Sequence, residues 1–450
     1  MGQRLASPQD GAHHASSPVR SWLRQGPLPA LAVQLLQLAL LGGLVGLACW
    51  PLNLIDRAQG RLLARLPAFG GGWGPTSLAL MLAPLAAMPL LLLLQSRLWP
   101  AGAGSGLPQT LVCLEEPERS ASLMSAGPTL ERLCLWAIAT LALLPLGREG
   151  PVVQLGAAVA MALRRRWPAL LAGLSERELM AAAGGVGLAA GFNTPLVGVL
   201  FMAEDLAGSF AARLIWPTMV MAALAALTSN LGGQPQFALG ELRFNPPELD
   251  QMLWAVPIGL GVGLLGALFG RLLLSLIARL APAVRRRPLR TGLALGAALA
   301  LLFLLSGGAG GGDGEDLMVA LLQPKGEDLV GAPLVLARLL GPALALGAGV
   351  PGGLIDPALS LGAVVGRALG DGFGIGPLGL SLGMAACLAG ATQLPLLSLV
   401  FSLRLAGDQQ LLPGLLLAAV LGAYVGRLLI ARPLYHQLAE DLRGQLSGQA

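Results

Sequence analysis

The stretch GREGPVVQLGA at residues 147–157 decides how this chain folds. Two glycines and a proline surround an arginine–glutamate pair, and an apolar run follows. The stretch PALSLGA at residues 357–363 repeats its Pro-x-x-x-Leu-Gly-Ala pattern 206 positions later. A second pair of matching stretches, 190–201 and 389–401, has an offset of 199 to 200. Two matched pairs at nearly one offset predict a duplicated chain, and duplicated halves are typical of transporters with a site at the membrane midplane.

The composition around these stretches is that of a protein buried in lipid. Of the 450 residues, 55% are hydrophobic and only 12% are charged, and the mean hydropathy is +0.71. Soluble domains have about a quarter of their residues charged, so a water-facing surface of ordinary size is excluded. The same values exclude a disordered chain. A net charge of only +5 with 4% aromatic residues excludes a nucleic-acid reader, which needs clustered basic side chains together with stacking aromatics. We predict an all-α polytopic protein embedded in a lipid bilayer.

Apolar segments follow one another along the chain, and several are too short to cross a bilayer upright. The first, 28–52, is charge-free and can span about 30 Å of hydrocarbon. Others, such as 133–146 and 357–370, are short, and Gly or Pro flanks or interrupts them. These features predict broken, tilted helices that meet inside the membrane, as at a transport site. The polar stretch 53–66 is predicted to be a loop.

Polar stretches divide the chain into five parts. No apolar core of the signal-peptide type precedes the first apolar segment. The arginine clusters at 164–166 and 285–287 are candidate cytoplasmic markers under the positive-inside rule. We predict a polar N-terminal tail (1–28), a first membrane repeat (29–230), a linker (231–251), a second membrane repeat (252–435) and a C-terminal tail (436–450).

Few ionisable residues lie in apolar surroundings, and each is a functional candidate because a charge in lipid is costly. Arg148 and Glu149 stand between two apolar runs, Glu204 and Asp205 end a third, and Asp356 precedes the proline of the second repeat. A local ion pair is the alternative for Arg148 and Glu149. An ordinary polar helix end is the alternative for Glu204 and Asp205.

Glycine and proline open three of the predicted helices, at 102–108, 147–151 and 352–357. The first turn of a helix has N–H groups without intrahelical partners, and with the helix dipole they attract anions. Such partial charges suit transport, because a full positive charge would hold an anion too tightly. Glu149 is itself an anion at one of these starts. It is therefore predicted to occupy the site when deprotonated and to leave it when protonated, as a gate and a proton carrier in one side chain.

In this order the motifs resemble those of the CLC family of chloride channels and chloride/proton antiporters, of the prokaryotic type. GSGLP at 104–108 is similar to the family's GSGIP, and 147–151 matches G(K/R)EGP. Residues 191–204 resemble GxFxxPxxGxLFxxE, 351–357 resembles the GxFxP filter loop, and Tyr435 stands at the place of the family's terminal tyrosine. A single motif would be weak in so Gly-rich a chain, whereas the ordered set is specific.

The resemblance implies many tilted helices in two inverted repeats, and a homodimer with one independent pore in each subunit. It implies an integral, multi-pass protein of the cell (inner) membrane that transports chloride and protons, and we expect the CBS domains of many eukaryotic members to be absent. Glu149 would be the gating and external proton glutamate, and Asp205 the internal proton acid. The implied anion ligands are the hydroxyls of Ser105 and Tyr435, the N–H groups of Leu354 and Ile355, and the N–H groups around Arg148 and Gly150.

Three departures from the family pattern bear on function. Asp205 stands where antiporters usually have the longer Glu, which affects how efficiently protons are delivered. Ile355 stands where many members have Phe. Asp356 adds a carboxylate beside the implied anion site, where it would repel chloride unless it points away or is neutralised.

Among transport functions, coupled chloride/proton antiport is favoured because both proton positions retain a carboxylate, and a passive chloride channel of the same fold is the alternative. Ser105 argues against fluoride, because fluoride-type members usually replace this serine. It also argues against nitrate, because nitrate-preferring members tend to have proline there. Cation transport is disfavoured because the motifs present N–H groups instead of clustered carboxylates or carbonyls.

An intramembrane enzyme is the alternative of a different class. The sequence around Ser105 lacks the GxSxG pattern, and no histidine lies in an apolar segment to activate the hydroxyl. His436, near the C-terminus, is interpreted as a neutral surface histidine. We therefore predict that the chain is not an enzyme. We expect no metal, disulfide or cofactor, because the four cysteines, Cys49, Cys113, Cys134 and Cys387, are far apart and lack CxxC spacing.

Overall fold

The computed structural model describes residues 27–231, 249–323 and 326–447, and within these ranges it contains no β-strand. Most of the predicted tail 1–28 and of the predicted linker 231–251 lies outside the described residues. The helices of seven or more residues are α1 (Pro27–Leu63), α2 (Pro75–Arg97), α3 (Leu107–Glu115), α4 (Ala126–Leu141), α5 (Glu149–Arg166), α6 (Glu176–Phe192), α7 (Pro195–Phe201), α8 (Ala212–Ser229), α9 (Ala255–Arg286), α10 (Pro288–Leu305), α11 (Glu315–Leu322), α12 (Ala332–Gly347), α13 (Ile355–Gly372), α14 (Pro377–Thr392), α15 (Pro395–Ala406), α16 (Leu412–Leu429) and α17 (Leu434–Ser447).

The helices of this fold differ in how much of their surface is buried. Several expose leucines on their outer faces, such as Leu36, Leu268 and Leu428, as expected for surfaces that meet lipid. Helices α5, α6, α13 and α14 are instead buried over most of their length. Six described segments are long and apolar enough to cross a membrane: Leu31–Leu63, Pro75–Arg97, Ala212–Ser229, Asp250–Arg286, Pro288–Leu305 and Gln409–Ser447.

Helix α1 continues through most of the stretch 53–66, where the sequence predicted a loop, so that prediction was wrong. Two of its polar side chains, Asn53 and Gln59, face the protein interior. The side-chain amide of Asn53 donates to the carbonyl of Ala190 at 3.2 Å, and that of Gln59 donates to the carbonyl of Thr140 at 2.8 Å. Because neighbouring helices satisfy these polar groups, the helix does not need to end at the membrane surface.

The repeated sequence pattern places one glycine in each of two equivalent helix contacts. Gly156 of α5 packs on α6, where a Cβ atom would overlap the carbonyl of Ala183. Gly362 of α13 packs on α14, where a Cβ atom would overlap the carbonyl of Gly383. The backbones can approach this closely only because no side chain lies between them. The duplicated pattern therefore defines two helix pairs, α5 with α6 and α13 with α14, which carry the two loops of the site.

Candidate functional site

The loops that precede α5 and α13 meet inside the protein. The N–H of Gly147 donates to the carbonyl of Gly353 at 3.0 Å, and the N–H of Gly353 donates back at 2.9 Å, which forms an isolated antiparallel β-bridge. The indole N–H of Trp136 donates to the Gly147 carbonyl at 3.2 Å and holds this loop in place. Both helices begin two residues after the bridge. Two helix N-termini with their unpaired N–H groups therefore lie together, and such a place favours negative charge.

The carboxylate of Glu149 lies at this junction and is completely buried. Its Oε1 accepts a hydrogen bond of 2.8 Å from the N–H of Asp356, in the first turn of α13. A Cβ atom on either Gly147 or Gly353 would overlap the carboxylate, so it fits only because both bridge residues are glycines. Its Oε2 has no hydrogen-bond partner among the described residues. The negative charge of this side chain occupies the position that the two helix starts favour.

A cavity of about 600 Å³ lies beside this junction, and Ser105, Leu354 and Tyr435 line it. Ser105 packs directly against Gly150, where a Cβ atom would overlap the serine hydroxyl. The ring of Tyr435 packs edge-on against Phe201, with 6.5 Å between the ring centroids. Within the described part of the chain, the buried hydroxyl of Tyr435 has no hydrogen-bond partner. A buried hydroxyl usually has one, so this O–H is available to a ligand in the cavity.

Arg132 holds the loop that carries Ser105, a role that the sequence analysis missed. Its Nε donates to the carbonyl of Gly104 at 3.0 Å, and its Nη2 donates to those of Ala101 and Ala103 at 2.8 and 3.1 Å. The side chain is 1% exposed. An arginine that meets backbone carbonyls instead of acids stiffens a loop. Its position after a Gly-rich segment is the signal that could have indicated this role.

The side chain of Arg148 points away from the helix starts. Its guanidinium forms ion pairs with Asp56 and with Glu315, the second at 3.3 Å, and lies 4.7 Å from the centre of the Phe192 ring. These partners come from α1, α11 and α6. The main ion-pair partners of Arg148 are therefore Asp56 and Glu315, and not Glu149 as the alternative of a local ion pair supposed. The backbone of this loop continues into the first residues of α5.

Asp205 lies in a single turn of π-helix, Met202–Leu206, that follows α7. Its side chain is only 1% exposed, and its Oδ2 has no partner among the described residues. Its Oδ1 lies 3.4 Å from Nε2 of His436, whose side chain is 36% exposed. His436, interpreted from the sequence as a neutral surface histidine, is therefore partly exposed and contacts the buried acid. Its place next to Tyr435 in the sequence was the signal for this role.

Glu204, the neighbour of Asp205, has a different environment. Its carboxylate accepts hydrogen bonds from the N–H groups of Leu396 and Leu397, at 3.0 and 2.8 Å, in the first turn of α15. This acid therefore caps a helix of the second half of the chain. The polar-helix-end alternative fits Glu204, whereas Asp205 is left buried with one free oxygen.

The site residues predicted from the sequence fall into two groups. One group lies around the helix starts and the adjoining cavity, and it contains Ser105, Arg148, Glu149, Gly150, Leu354, Ile355 and Tyr435. Asp205 lies apart, and helix α17 connects it to this group, because Tyr435 lines the cavity and His436 contacts the acid. The residues after 435, expected as a tail, thus form part of the site, and α17 packs against α3.

Comparison with protein families and sequences identifies relatives. Residues 86–427 match the family model described as "Voltage gated chloride channel". The chain is 32% identical over 311 residues to the voltage-gated ClC-type chloride channel ClcB of Escherichia coli O9:H4 (strain HS), a match that covers 65% of this chain and 71% of the relative. The corresponding protein of Escherichia coli (strain K12 / DH10B) matches to the same extent.

Solved structures share the fold at lower sequence identity. A slow cyanobacterial Cl⁻/H⁺ antiporter has a TM-score of 0.72 at 20% identity, over 91% of this chain and 97% of its own. A CLC-type fluoride/proton antiporter has a TM-score of 0.74 at 23% identity, over 90% of this chain and 98% of its own. A eukaryotic CLC transporter has a TM-score of 0.72 at 24% identity, over 90% and 74%. The predicted all-α fold of broken, tilted helices is confirmed.

Proposed function

Because this chain belongs to the voltage-gated chloride channel family, we propose that it exchanges chloride for protons across the membrane. It is an integral, multi-pass membrane protein of a family of transporters and not of enzymes. The solved neighbours are described as chloride/proton and fluoride/proton antiporters. At 20 and 23% identity they establish the fold, and the proposal for this chain therefore depends on its own site residues.

The position of Glu149 is the observation that carries the proposal. Its carboxylate occupies the place where two helix starts favour an anion, and it accepts the N–H of Asp356 there. A chloride ion at the same place would use the same N–H groups, so the carboxylate and chloride compete. Protonation removes the charge for which these N–H groups are arranged, and the side chain then leaves the position to chloride. One site thus holds either a chloride ion or the deprotonated Glu149 carboxylate, and uptake of a proton by Glu149 exchanges the second for the first, which couples the two fluxes.

The cavity next to Glu149 supplies the remaining anion ligands. The hydroxyl of Tyr435 has no partner among the described residues, and Ser105 lines the same cavity. The N–H groups of Leu354 and Ile355, at the start of α13, complete a set of neutral donors. Neutral donors stabilise a partly dehydrated anion without the full charge that would prevent its release.

Arg285 lines the cavity and belongs to the arginine cluster 285–287. Under the positive-inside rule, the cavity then opens to the cytoplasm. Helix α17 lines the cavity through Tyr435 and contacts Asp205 through His436. Asp205 serves as the internal proton acid. We place the protein in the bacterial inner membrane as a homodimer with one pore in each subunit, by analogy with its family.

A passive chloride channel is the competing function, and one experiment separates the two. The purified full chain is reconstituted in liposomes with a chloride gradient, and proton movement and reversal potential are measured together. An antiporter moves protons against their gradient, driven by chloride, and its reversal potential departs from that of chloride alone. Chloride flux without proton movement would make the protein a channel. The variant Glu149→Gln is the matched control, because it retains size and hydrogen bonding but cannot carry a proton.

A further inference from the structure

Asp356 is the residue of the filter loop that the proposed exchange leaves without a role. It is the second residue of α13, and its backbone N–H holds the Glu149 carboxylate. The side chain is 0% exposed. Neither of its carboxylate oxygens has a hydrogen-bond partner among the residues that the structure describes. From the sequence, Asp356 would avoid repelling chloride if it pointed away or were neutralised by a cation. In the structure its carboxylate does not reach solvent, and neither of its oxygens accepts a hydrogen bond from an arginine among the described residues.

Most of the charged groups around Asp356 are acids, and they disfavour its ionised form. Glu149 on α5, and Asp313 and Glu315 at the start of α11, are the acids that act on it. Arg148 is the cation that acts on it, but its guanidinium bonds to Asp56 and Glu315. Helix α14, which packs along α13, has no charged side chain, and Arg338 of α12 donates to the backbone carbonyls of residues 309, 311 and 312.

Two ionised carboxylates in adjoining buried positions repel each other, and a chloride ion would add a third negative charge. The N-terminal dipole of α13 favours one negative charge at this place, not three. An anion can therefore bind here only if the carboxyls nearby are neutral. Glu149 becomes neutral by taking up a proton in the proposed exchange. The same electrostatic condition applies to Asp356, whose carboxyl is completely buried beside the start of α13.

Resting on the chloride/proton exchange described above, we propose that Asp356 is a second proton-binding carboxyl at the anion site, beside Glu149, and that it is protonated whenever an anion occupies the start of α13. A proton from water adds to one of its two Oδ atoms as the anion binds. When the anion leaves, the proton returns to water. Chloride affinity in this protein is then linked to protons through two side chains. The linkage at Asp356 persists when Glu149 is made neutral.

The test measures chloride binding by calorimetry on the purified full chain at a series of pH values, in the Glu149→Gln background. We expect affinity in this background to fall by up to tenfold per pH unit on the alkaline side, because one proton accompanies each anion. The double variant Glu149→Gln/Asp356→Asn should lose this dependence. Glu149→Gln/Asp371→Asn is the matched control, because Asp371 ends the same helix and pairs with Arg367, and it should retain the dependence.

A second measurement does not require the double variant, which could misfold. Chloride is added to the weakly buffered Glu149→Gln protein, and proton uptake is recorded with a pH indicator. Uptake of about one proton for each bound chloride supports the proposal. No uptake, a flat pH profile in Glu149→Gln, or a pH profile unchanged by Asp356→Asn would overturn it. These outcomes are distinct from failure of the exchange itself, which would appear as absent proton movement in wild-type liposomes.

The contact between His436 and Asp205 carries a second, independent inference. Asp205 is 1% exposed and lies 3.4 Å from the imidazole, which is 36% exposed. Asp205 is the charged group that acts on this histidine, and the nearby acid Glu115 of α3 pairs with Arg443. On the premise of the same exchange, we infer that His436 passes protons between cytoplasmic water and Asp205. Histidine suits this step because its unperturbed titration lies near neutral pH.

The variant His436→Gln in liposomes tests this inference. Chloride flux should persist, proton flux should fall severalfold, and added imidazole should restore part of the proton flux by replacing the missing side chain. Gln437→Ala, at the adjacent position of α17, is the matched control and should behave as wild type. Unchanged proton flux in His436→Gln, or a loss of proton flux that imidazole does not restore, would overturn the inference, since a purely structural role would not respond to imidazole.

Discussion

The buried hydroxyl of Tyr435 allows a prediction in which anion affinity and protein stability change in opposite directions. The hydroxyl has no partner among the described residues, and the ring is held separately by its edge-on contact with Phe201. In Tyr435→Phe the ring therefore stays in place and only the O–H is lost. A hydrogen bond to a charged group contributes about 1.5–3 kcal/mol. Chloride should accordingly bind about 10- to 150-fold more weakly.

The effect on the chloride-free protein has the opposite sign. An unpaired buried hydroxyl is destabilising by about 1–3 kcal/mol relative to an apolar group of the same shape. Without chloride, Tyr435→Phe should therefore unfold at the same temperature as wild type or at a higher one. With chloride, the stabilisation produced by ligand binding should be smaller in the variant, because this stabilisation depends on the dissociation constant.

The assay combines calorimetric chloride binding with thermal unfolding of the detergent-solubilised protein, in chloride and in a salt of a large organic anion. Tyr424→Phe is the matched control, since Tyr424 is the other tyrosine of the chain and is 59% exposed. It should change neither quantity. Chloride affinity that is equal in Tyr435→Phe and wild type would refute the assignment of this hydroxyl to the anion site. A large loss of stability without chloride would refute the argument that the hydroxyl is unpaired.

Three further predictions follow from the site and the packing. Glu149→Ala should conduct chloride without proton pumping, since no Glu149 carboxylate competes with the anion, and its chloride flux should retain only the pH dependence that Asp356 confers; intact proton pumping in liposomes would contradict this. Asp205→Asn should abolish proton movement and retain chloride flux, whereas Asp205→Glu should retain or improve coupling; unchanged coupling in the Asn variant would show that protons take another route. Gly362→Ala should destabilise the protein by about 1–3 kcal/mol, because its Cβ would overlap the carbonyl of Gly383. Gly372→Ala, at the end of the same helix with open space around it, is the control. Equal unfolding temperatures of the two variants would contradict the packing argument.

The helical, membrane-embedded character of this chain could be predicted from local sequence. Hydropathy over a window of about 20 residues is a local property that directly reflects lipid burial. The same holds for the helix starts at Glu149 and Ile355, since glycine and proline act on the backbone within a few residues. The spacing of Gly156 and Gly362 also predicts a duplicated chain. Where the hydropathy window failed, at 53–66, polar side chains were satisfied by distant helices.

Contacts between distant parts of the chain could not be predicted from local sequence. The backbone of Gly147 bonds to that of Gly353, Asp205 contacts His436, and Arg148 pairs with Asp56. Each of these contacts joins residues about 90 to 230 positions apart. Sequence composition and motifs therefore determined the fold class and the candidate residues, while tertiary structure alone decided which acids are paired, which hydroxyl lines the cavity and which histidine contacts a buried acid. The physical reason is that burial of a polar group depends on what other helices bring to it, and local periodicity contains no information about that partner.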